Sequence, residues 1–401
     1  MSKKTNTGLG KKSTGLDFSS GNPVTVLLPS MGAKEMPDFD AIKSRLENKG
    51  AKVISANLSK KEVTRELPWN EIDVIDLSNM RGCLTSFDKY TGILDRLYDK
   101  IETQESNNRF ISVIPEYEDL LWIASKATYL THLHNQNIAI IPTQTLSTLK
   151  DTDNASIIAQ PDNFEDMFAQ MKGFIDQSNK EKFVLKPSTS SLGRGLFFID
   201  YNRETHGYTL SLPTEDDSAV KTSFINFDEM TNFLTSYFTN TPSPDHHFLF
   251  QEYIENIETS AVFVDGSPHF VERTQGAESH IAHARYGGQD RVIENPEIEL
   301  VRFVQKVMES LPHRIQNSAF LRIDVMKDLE TDNYMLAEIE GAGAARLWLK
   351  EANRIEDYAQ MLIKEGINNH RLSRNQTPTI EQDIDPDIDI DIDIDKNIEI
   401  S

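Results

Sequence analysis

Cysteine occurs once in the 401 residues, at Cys83, which excludes an intramolecular disulfide and fits a reducing compartment. Long apolar runs are missing as well: none approaches the ~20 residues that cross a bilayer. The lysines near the start (Lys3, Lys4, Lys11, Lys12) are not followed by an apolar stretch, so no secretory signal is read there and the expected compartment is the cytoplasm. Positive charge is in short supply. Lys and Arg number 41 against 63 Asp and Glu, a net charge of −22, which argues against nucleic acid as a partner. The chain also lacks a GxxxxGK(S/T) phosphate loop, an HExxH or CxxC zinc pattern, an EF-hand spacing and a Ser-His-Asp arrangement. Chemistry that needs a nucleophilic side chain or a zinc ion is therefore not indicated.

Both ends are polar. Residues 1–21 are rich in Lys, Ser, Thr and Gly and are expected to be disordered. Residues 381–401 hold nine acidic residues against Lys396 in the repeat DIDPDIDIDIDIDKNIEI. Strict alternation there would place all the acids on one strand face, which self-repels, so a disordered tail over 371–401 is the expectation. A docking strand, or a segment that is itself a substrate, is the sharper alternative.

Between the tails the patterning changes once. Strands are expected at VTVLLPS, AKVISANL, IDVIDLS, FISVIP and IAIIP, alternating with helices at about Phe39–Lys49, Phe87–Ile101 and Tyr117–His134. That alternation predicts βαβ units on a parallel sheet, a Rossmann-like domain over 22–143. Trp122 and Lys126 are assigned to packing and to the helix surface. Further on come a helix near Asn163–Ile175, a strand–loop–strand at EKFVLKPSTSSLGRGLFFID, an irregular polar stretch over 203–247 with a helix around Phe227–Phe238, and the apolar strand HFLFQEYI. A hairpin at TSAVFVDGSPHFVERT, a helix over 296–312 and a last helix at about Ile355–Glu365 complete the pattern.

The stretch LRIDVMKDLETDNYMLAEIEGAGAAR organises the rest. It predicts two strands joined by a polar turn, with Asp324 on the first and Glu338 and Glu340 on one face of the second. Carboxylates set among Leu, Ile, Val and Met are costly to bury uncompensated. A hairpin would gather all three into a cluster suited to Mg²⁺ and phosphate or, as alternation alone equally allows, would stand half-exposed with its acids on the wet face. The small-residue loop beginning at Gly341 lets backbone N–H groups come close to an anion.

Several blocks in order resemble the ATP-grasp superfamily of carboxylate–amine ligases, of the glutathione-synthetase and cycloserine-pathway cyclo-ligase type. They are LLWIASKATYLTHLHNQNIAIIPT, FVLKPSTSSLGRG, SAVFVDG, RYGG and LRIDV, and the resemblance spans about residues 24–365. It implies a Rossmann-like domain before an ATP-grasp lid over 144–250 and a catalytic subdomain over 251–370, an α/β and α+β architecture. It also implies ATP and Mg²⁺ as cofactors. The implied activity is phosphorylation of a carboxylate to an acyl phosphate, followed by attack of an amine. Partners would be small carboxylates and amines or a peptide, with no nucleic acid or membrane, and a homodimer is compatible with the family.

Carried over residue by residue, the resemblance gives Lys186, Ser190, Ser191 and Gly193 to the nucleotide phosphates. Gln251, Glu252, Tyr253 and Ile254 go to the adenine hinge and Glu258 to the ribose. Asp324, Glu338 and Glu340 would hold Mg²⁺; Arg322 and Arg285 would be catalytic, Arg322 stabilising the acyl-phosphate oxyanions and Arg285 lying where the family binds the acceptor carboxylate. Arg273, His280, Gly287, Gly288, Gly341 and Arg346 would bind substrate. Departures are visible. The family's second nucleotide lysine has only Lys150 and Lys172 as candidates, SHIAHA stands where relatives carry an arginine motif, and GAGAAR differs from the family's loop. A phosphotransferase of the same fold and a non-catalytic nucleotide-binding protein remain the alternatives.

Overall fold

A computed structural model gives the architecture over residues 23–30, 39–80, 87–148, 164–189, 195–214, 218–240, 246–277, 280–282, 286–341 and 354–375. The amino-terminal arm and the acidic tail lie outside these residues. The first part runs β1 (Thr25–Ser30), α1 (Phe39–Asn48), β2 (Lys52–Asn57), α2 (Lys61–Glu66), β3 (Val74–Asp76), α3 (Phe87–Glu105) and β4 (Ser112–Ile114), then α4 (Tyr117–Ala124) and α5 (Lys126–Asn135). Its four strands form a parallel sheet in the order β2-β1-β3-β4. β1 is apolar on both faces because both are covered. Val26 and Leu28 pack on α1, whereas Leu27 faces α3 through Ile93, Leu94 and Leu97.

The second part holds β5 (Thr143–Ser147), α6 (Phe164–Gln177), β6 (Lys182–Pro187), β7 (Phe197–Asn202), β8 (Gly207–Pro213), β9 (Ala219–Phe224), α7 (Phe227–Asn240) and β10 (His247–Glu252). These strands make a six-stranded antiparallel sheet, β5-β10-β6-β7-β8-β9. Phe183, Leu185, Phe197 and Ile199 bury one face under α6 and α7. By strand alternation Lys182, Val184, Lys186 and Phe198 occupy the opposite face.

The third part comprises β11 (Asn256–Val264), β12 (Ser267–Arg273), β13 (Asp290–Ile293), α8 (Ile298–Ser310), α9 (His313–Gln316), β14 (Phe320–Asp328), β15 (Tyr334–Glu340) and α10 (Ile355–Asn375). The five strands pair antiparallel as β13-β12-β11-β14-β15. Leu321, Ile323 and Val325 of β14 pack with Leu300, Val304 and Val307 of α8 and with Tyr129 and Leu133 of α5. α10 returns to the parallel sheet, where Tyr358 and Leu362 join Val26 and Leu28 and also reach Val262 and Phe320. The buried Tyr358 hydroxyl donates to Asp76 at the end of β3 (2.7 Å), tying the last helix to the first sheet. No helix among the described residues is long and apolar enough to cross a membrane.

Four local expectations are corrected. The helix expected over Tyr117–His134 breaks at Ser125, whose extended backbone and side chain cap α5 by accepting from the Thr128 N–H. The stretch IAIIP makes only an isolated bridge, Ile140 to Leu336, and the strand follows it at Thr143–Ser147 in the six-stranded sheet. Within the stretch expected to be irregular, Gly207–Pro213 and Ala219–Phe224 pair antiparallel as β8 and β9, and the largely exposed β9 gives little apolar signal. The last helix continues to Asn375, its buried Asn369 donating to the Asp73 carbonyl (2.7 Å).

Candidate active site

The functional side chains follow from strand alternation on β14. While Leu321, Ile323 and Val325 enter the core, Arg322 and Met326 line a cleft, with Asp324 on the same face. The cleft lies between the six-stranded and five-stranded sheets and has a volume of about 190 Å³. Across the β14–β15 ladder Asp324 faces Glu338 and Arg322 faces Glu340. Alternation keeps both glutamates on the cleft side, and the register slips just beyond them, between Asp324 and Val325, a bulge that lets Leu336 join Val325 in the core. Carboxylate oxygens of Asp324, Glu338 and Glu340 all lie within 4.8 Å of one another.

Cations hold this cluster together. Arg322, 2% exposed, grips Asp324 with Nε at 2.9 Å and Nη2 at 2.7 Å and reaches Glu340 at 2.9 Å. Arg273 pairs with Glu258, its neighbour across the β11–β12 ladder, and stands 3.6 Å from Asp324. Ser260 donates to Asp324 at 2.6 Å. Burial alone would raise the Asp324 pKa, but Arg322 and Arg273 with the Ser260 hydroxyl hold it below the ordinary carboxylate range. Burial pushes Glu340 up to about 7 against the pull of Arg322, and Glu258 up to about 7 against that of Arg273. Glu340 Oε2 is buried without a hydrogen-bond partner among the described residues.

Two lysines face the carboxylates. Lys186, half-buried on β6, has its pKa lowered to about 8, chiefly by desolvation and in part by repulsion from Lys126, with Glu338 opposing the shift. Lys126 was assigned to a helix surface from sequence, and the structure corrects this. It is 4% exposed, lines the cleft, and pairs with Glu338 at 2.9 Å. The break at Ser125 makes this possible. Ser188, at the end of β6, accepts the Ala127 N–H on its hydroxyl (2.9 Å), docking the start of α5 against the strand that carries Lys186. Lys172 is exposed on α6 and pairs with Asp176, and Lys150 lies outside the described residues.

At its other end the cleft is apolar, walled by Ile141, Val184, Phe198, Ile254 and Met326. Gln251, Glu252, Tyr253, Ile254 and Glu258 all line it, as does Asn256, which the sequence reading passed over. Within the hinge the Tyr253 N–H is taken by the Lys182 carbonyl (2.9 Å) and the Ile254 carbonyl by the Asn256 side chain (2.7 Å). Glu252 accepts from Ser178 (2.6 Å). His280 sits edge-on to Phe198 and Tyr253, 5.6 and 5.9 Å between ring centres, with the aromatics rather than with the carboxylates. Gly287, Gly288 and Gly341 are not among the residues that line the cleft; Gly341 instead packs beside Ile123 and Pro115. Ser190, Ser191, Gly193, Arg285 and Arg346 lie outside the described residues.

No protein-family model and no curated protein matches the sequence. Solved structures do match, at low identity and over most of the chain. D-cycloserine synthetase DcsG is 15% identical, at a TM-score of 0.59 over 85% of this chain and 99% of its own. The D-alanine–D-alanine ligase of Bacillus anthracis complexed with ATP gives 15%, 0.53, 88% and 99%. The chain has the ATP-grasp fold. A Chryseobacterium gregarium RiPP-associated ATP-grasp ligase, in complex with ADP and a leader and core peptide, matches as well, with 15% identity and a TM-score of 0.51 over 85% of this chain and 97% of its own. At these identities the likeness concerns the fold. In this ATP-grasp chain the described cleft lies between the two antiparallel sheets, with both lysines and the carboxylate cluster at one end of it.

Proposed function

We propose that the protein is an ATP-dependent carboxylate–amine ligase. The observation that carries this is one cleft with an apolar slot at one end and, at the other, Lys126, Lys186 and Arg322 facing three carboxylates. The slot suits a purine and the lysines suit the phosphates. The similar structures include ligases of small amino acids and of peptides, one with ATP bound. Asp324, Glu338 and Glu340 would hold Mg²⁺, and the unpartnered, buried Oε2 of Glu340 fits that role. Such an ion would supply charge neutralisation for the transferring phosphate.

In the proposed reaction a substrate carboxylate oxygen attacks the γ-phosphorus and the bond to the β–γ bridging oxygen breaks, leaving ADP and an acyl phosphate. The amine nitrogen then attacks the acyl carbon, phosphate departs with the bonding pair, and the amine loses a proton. Side chains act here by position and charge. Lys186 and Lys126 hold the phosphates, and Arg322, fixed by Asp324 and Glu340, offers a preorganised cation to the developing oxyanion. Glu258 and the hinge at Gln251–Ile254 would orient the nucleoside.

The test is ADP and phosphate release with Mg²⁺ across pools of small carboxylates, amines and short peptides, beside Asp324→Asn and Glu338→Gln variants. Turnover that needs both an acid and an amine, and is lost in both variants, supports a ligase. Turnover that yields a stable phosphorylated product would make the protein a phosphotransferase instead. Absence of ATP binding would overturn the reading.

A further inference from the structure

Asn256, the first residue of β11, lines the apolar end of the cleft and makes a divided contact. Its Nδ2 donates to the Ile254 carbonyl at 2.7 Å, and this fixes which way the amide faces, since the opposite orientation would set oxygen against oxygen. Its Oδ1 is then left buried with no hydrogen-bond partner among the described residues. The neighbours Ile141, Ile254 and Met326 offer side chains without a donor. A buried carbonyl oxygen in such a setting is an acceptor waiting for a donor, because leaving it unpaired is costly.

Its place along the strand says what part of a ligand it meets. Asn256, Glu258 and Ser260 share one face of β11 by alternation, and Ser260 bonds Asp324 at the carboxylate cluster. At the usual rise of a strand, Asn256 is roughly 13 Å from Ser260 along that face. The row therefore runs from the hinge, past Glu258, to the carboxylates that face the lysines. A nucleotide with its phosphates at the lysines brings its base, not its phosphates, to Asn256.

Resting on the nucleotide reading above, we propose that Asn256 is a base-selecting residue whose Oδ1 accepts a hydrogen bond from the exocyclic amino group of adenine. Because Nδ2 is committed to Ile254, the side chain cannot turn to serve a base that presents an acceptor at that edge. A 6-oxo purine would set carbonyl against carbonyl there, and a purine without the amino group would leave Oδ1 unpaired. Discrimination by a buried unpaired group of this kind is expected to be at least about tenfold.

The experiment is equilibrium binding of ATP, of purine riboside triphosphate (which lacks the 6-amino group) and of 3′-deoxy-ATP to the full chain with Mg²⁺, in the wild type and in Asn256→Ala. A wild-type preference for ATP over purine riboside triphosphate that shrinks about tenfold in the variant supports the proposal. Equal wild-type affinity for those two nucleotides overturns it without reference to any variant. So does a variant that weakens both alike, which would make Asn256 only a support for the hinge. Loss of discrimination against 3′-deoxy-ATP instead would place the contact on the sugar and overturn it also. A wild type that binds none of the three overturns the nucleotide reading itself, and is thereby distinguished from a failure of the Asn256 proposal.

Discussion

Lys126 Nζ lies 2.9 Å from Glu338 Oε1, joining the first turn of a helix beside the parallel sheet to the last strand of the five-stranded sheet. The pair matters because Lys126 is buried and lines the same cleft as Lys186, close enough to repel it. Lys126 thus sets a second, buried cation beside Lys186 at the carboxylate cluster.

Replacing Lys126 with Met, which keeps most of the stem's volume, is expected to lower turnover by roughly 100-fold, the scale for loss of one preorganised charge at a reacting phosphate. Lys172→Ala, on an exposed helix face, should leave turnover unchanged. Steady-state ADP release for both variants checks the pair. Equal activity in the two would mean Lys126 is only a buried counter-ion for Glu338.

Lys186 supplies a pH dependence. Its pKa is lowered to about 8, so the cationic form present below that pH is lost as pH rises through it. Nucleotide affinity is expected to hold steady below about pH 8 and then to weaken, approaching tenfold per unit above it. In Lys186→Arg the break should disappear, because guanidinium stays charged. Titration calorimetry with ATP and Mg²⁺ from pH 6.5 to 9.5 measures this.

Asp324 and Glu338 should separate stability from activity. Asp324→Ala removes the carboxylate that the buried Arg322 grips with two nitrogens, and is expected to cost about 3 kcal/mol. Glu338→Gln removes the carboxylate paired with the buried Lys126 but also relieves repulsion on Glu340, so it should cost less than Asp324→Ala, about 1–2 kcal/mol, while losing at least roughly 100-fold in turnover. Urea denaturation read beside ADP release decides it. A Glu338→Gln protein that is stable and fully active would remove Glu338 from the site.

Two helical glycines should respond to alanine with opposite signs. In α6, a Cβ at Gly173 meets nothing within 4 Å, so Gly173→Ala should stabilise by about 0.5–1 kcal/mol. In α10, a Cβ at Gly366 would fall 2.2 Å from Val24 Cγ1 on the chain entering the parallel sheet. Gly366→Ala should therefore destabilise by about 1–3 kcal/mol despite its better helix propensity. Denaturation midpoints of the two variants test whether α10 packs as closely on that sheet as described.

Much of this arrangement was legible beforehand. Asp324, Glu338 and Glu340 could be grouped because period-two alternation and a short polar turn leave few ways to fold LRIDV against AEIE. Lys186 was legible because VLKP before small residues fixes a strand end. Lys126 was not. The motif that contains it was read as one helix with a solvated lysine, and nothing local announces that Ser125 interrupts that helix to dock on Ser188. β8 and β9 were missed for a related reason: residues 219–224 are polar and mostly exposed, so their pairing owes more to the neighbouring strand than to their own hydrophobicity. His280, grouped with substrate by its place in the chain, lines the cleft edge-on to Phe198 and Tyr253.

By itself the sequence determined the alternation of strands and helices, the faces of β6 and β14, and the residue types that a phosphate site requires, because these depend on periodicities of two and 3.6 residues and on side-chain chemistry. Tertiary structure decided which charges meet. Arg322 with Glu340 and Arg273 with Glu258 follow from the register of adjacent hairpin strands, whereas Lys126 with Glu338 follows from the docking of α5 on β6 and joins segments far apart in the chain that no local pattern encodes.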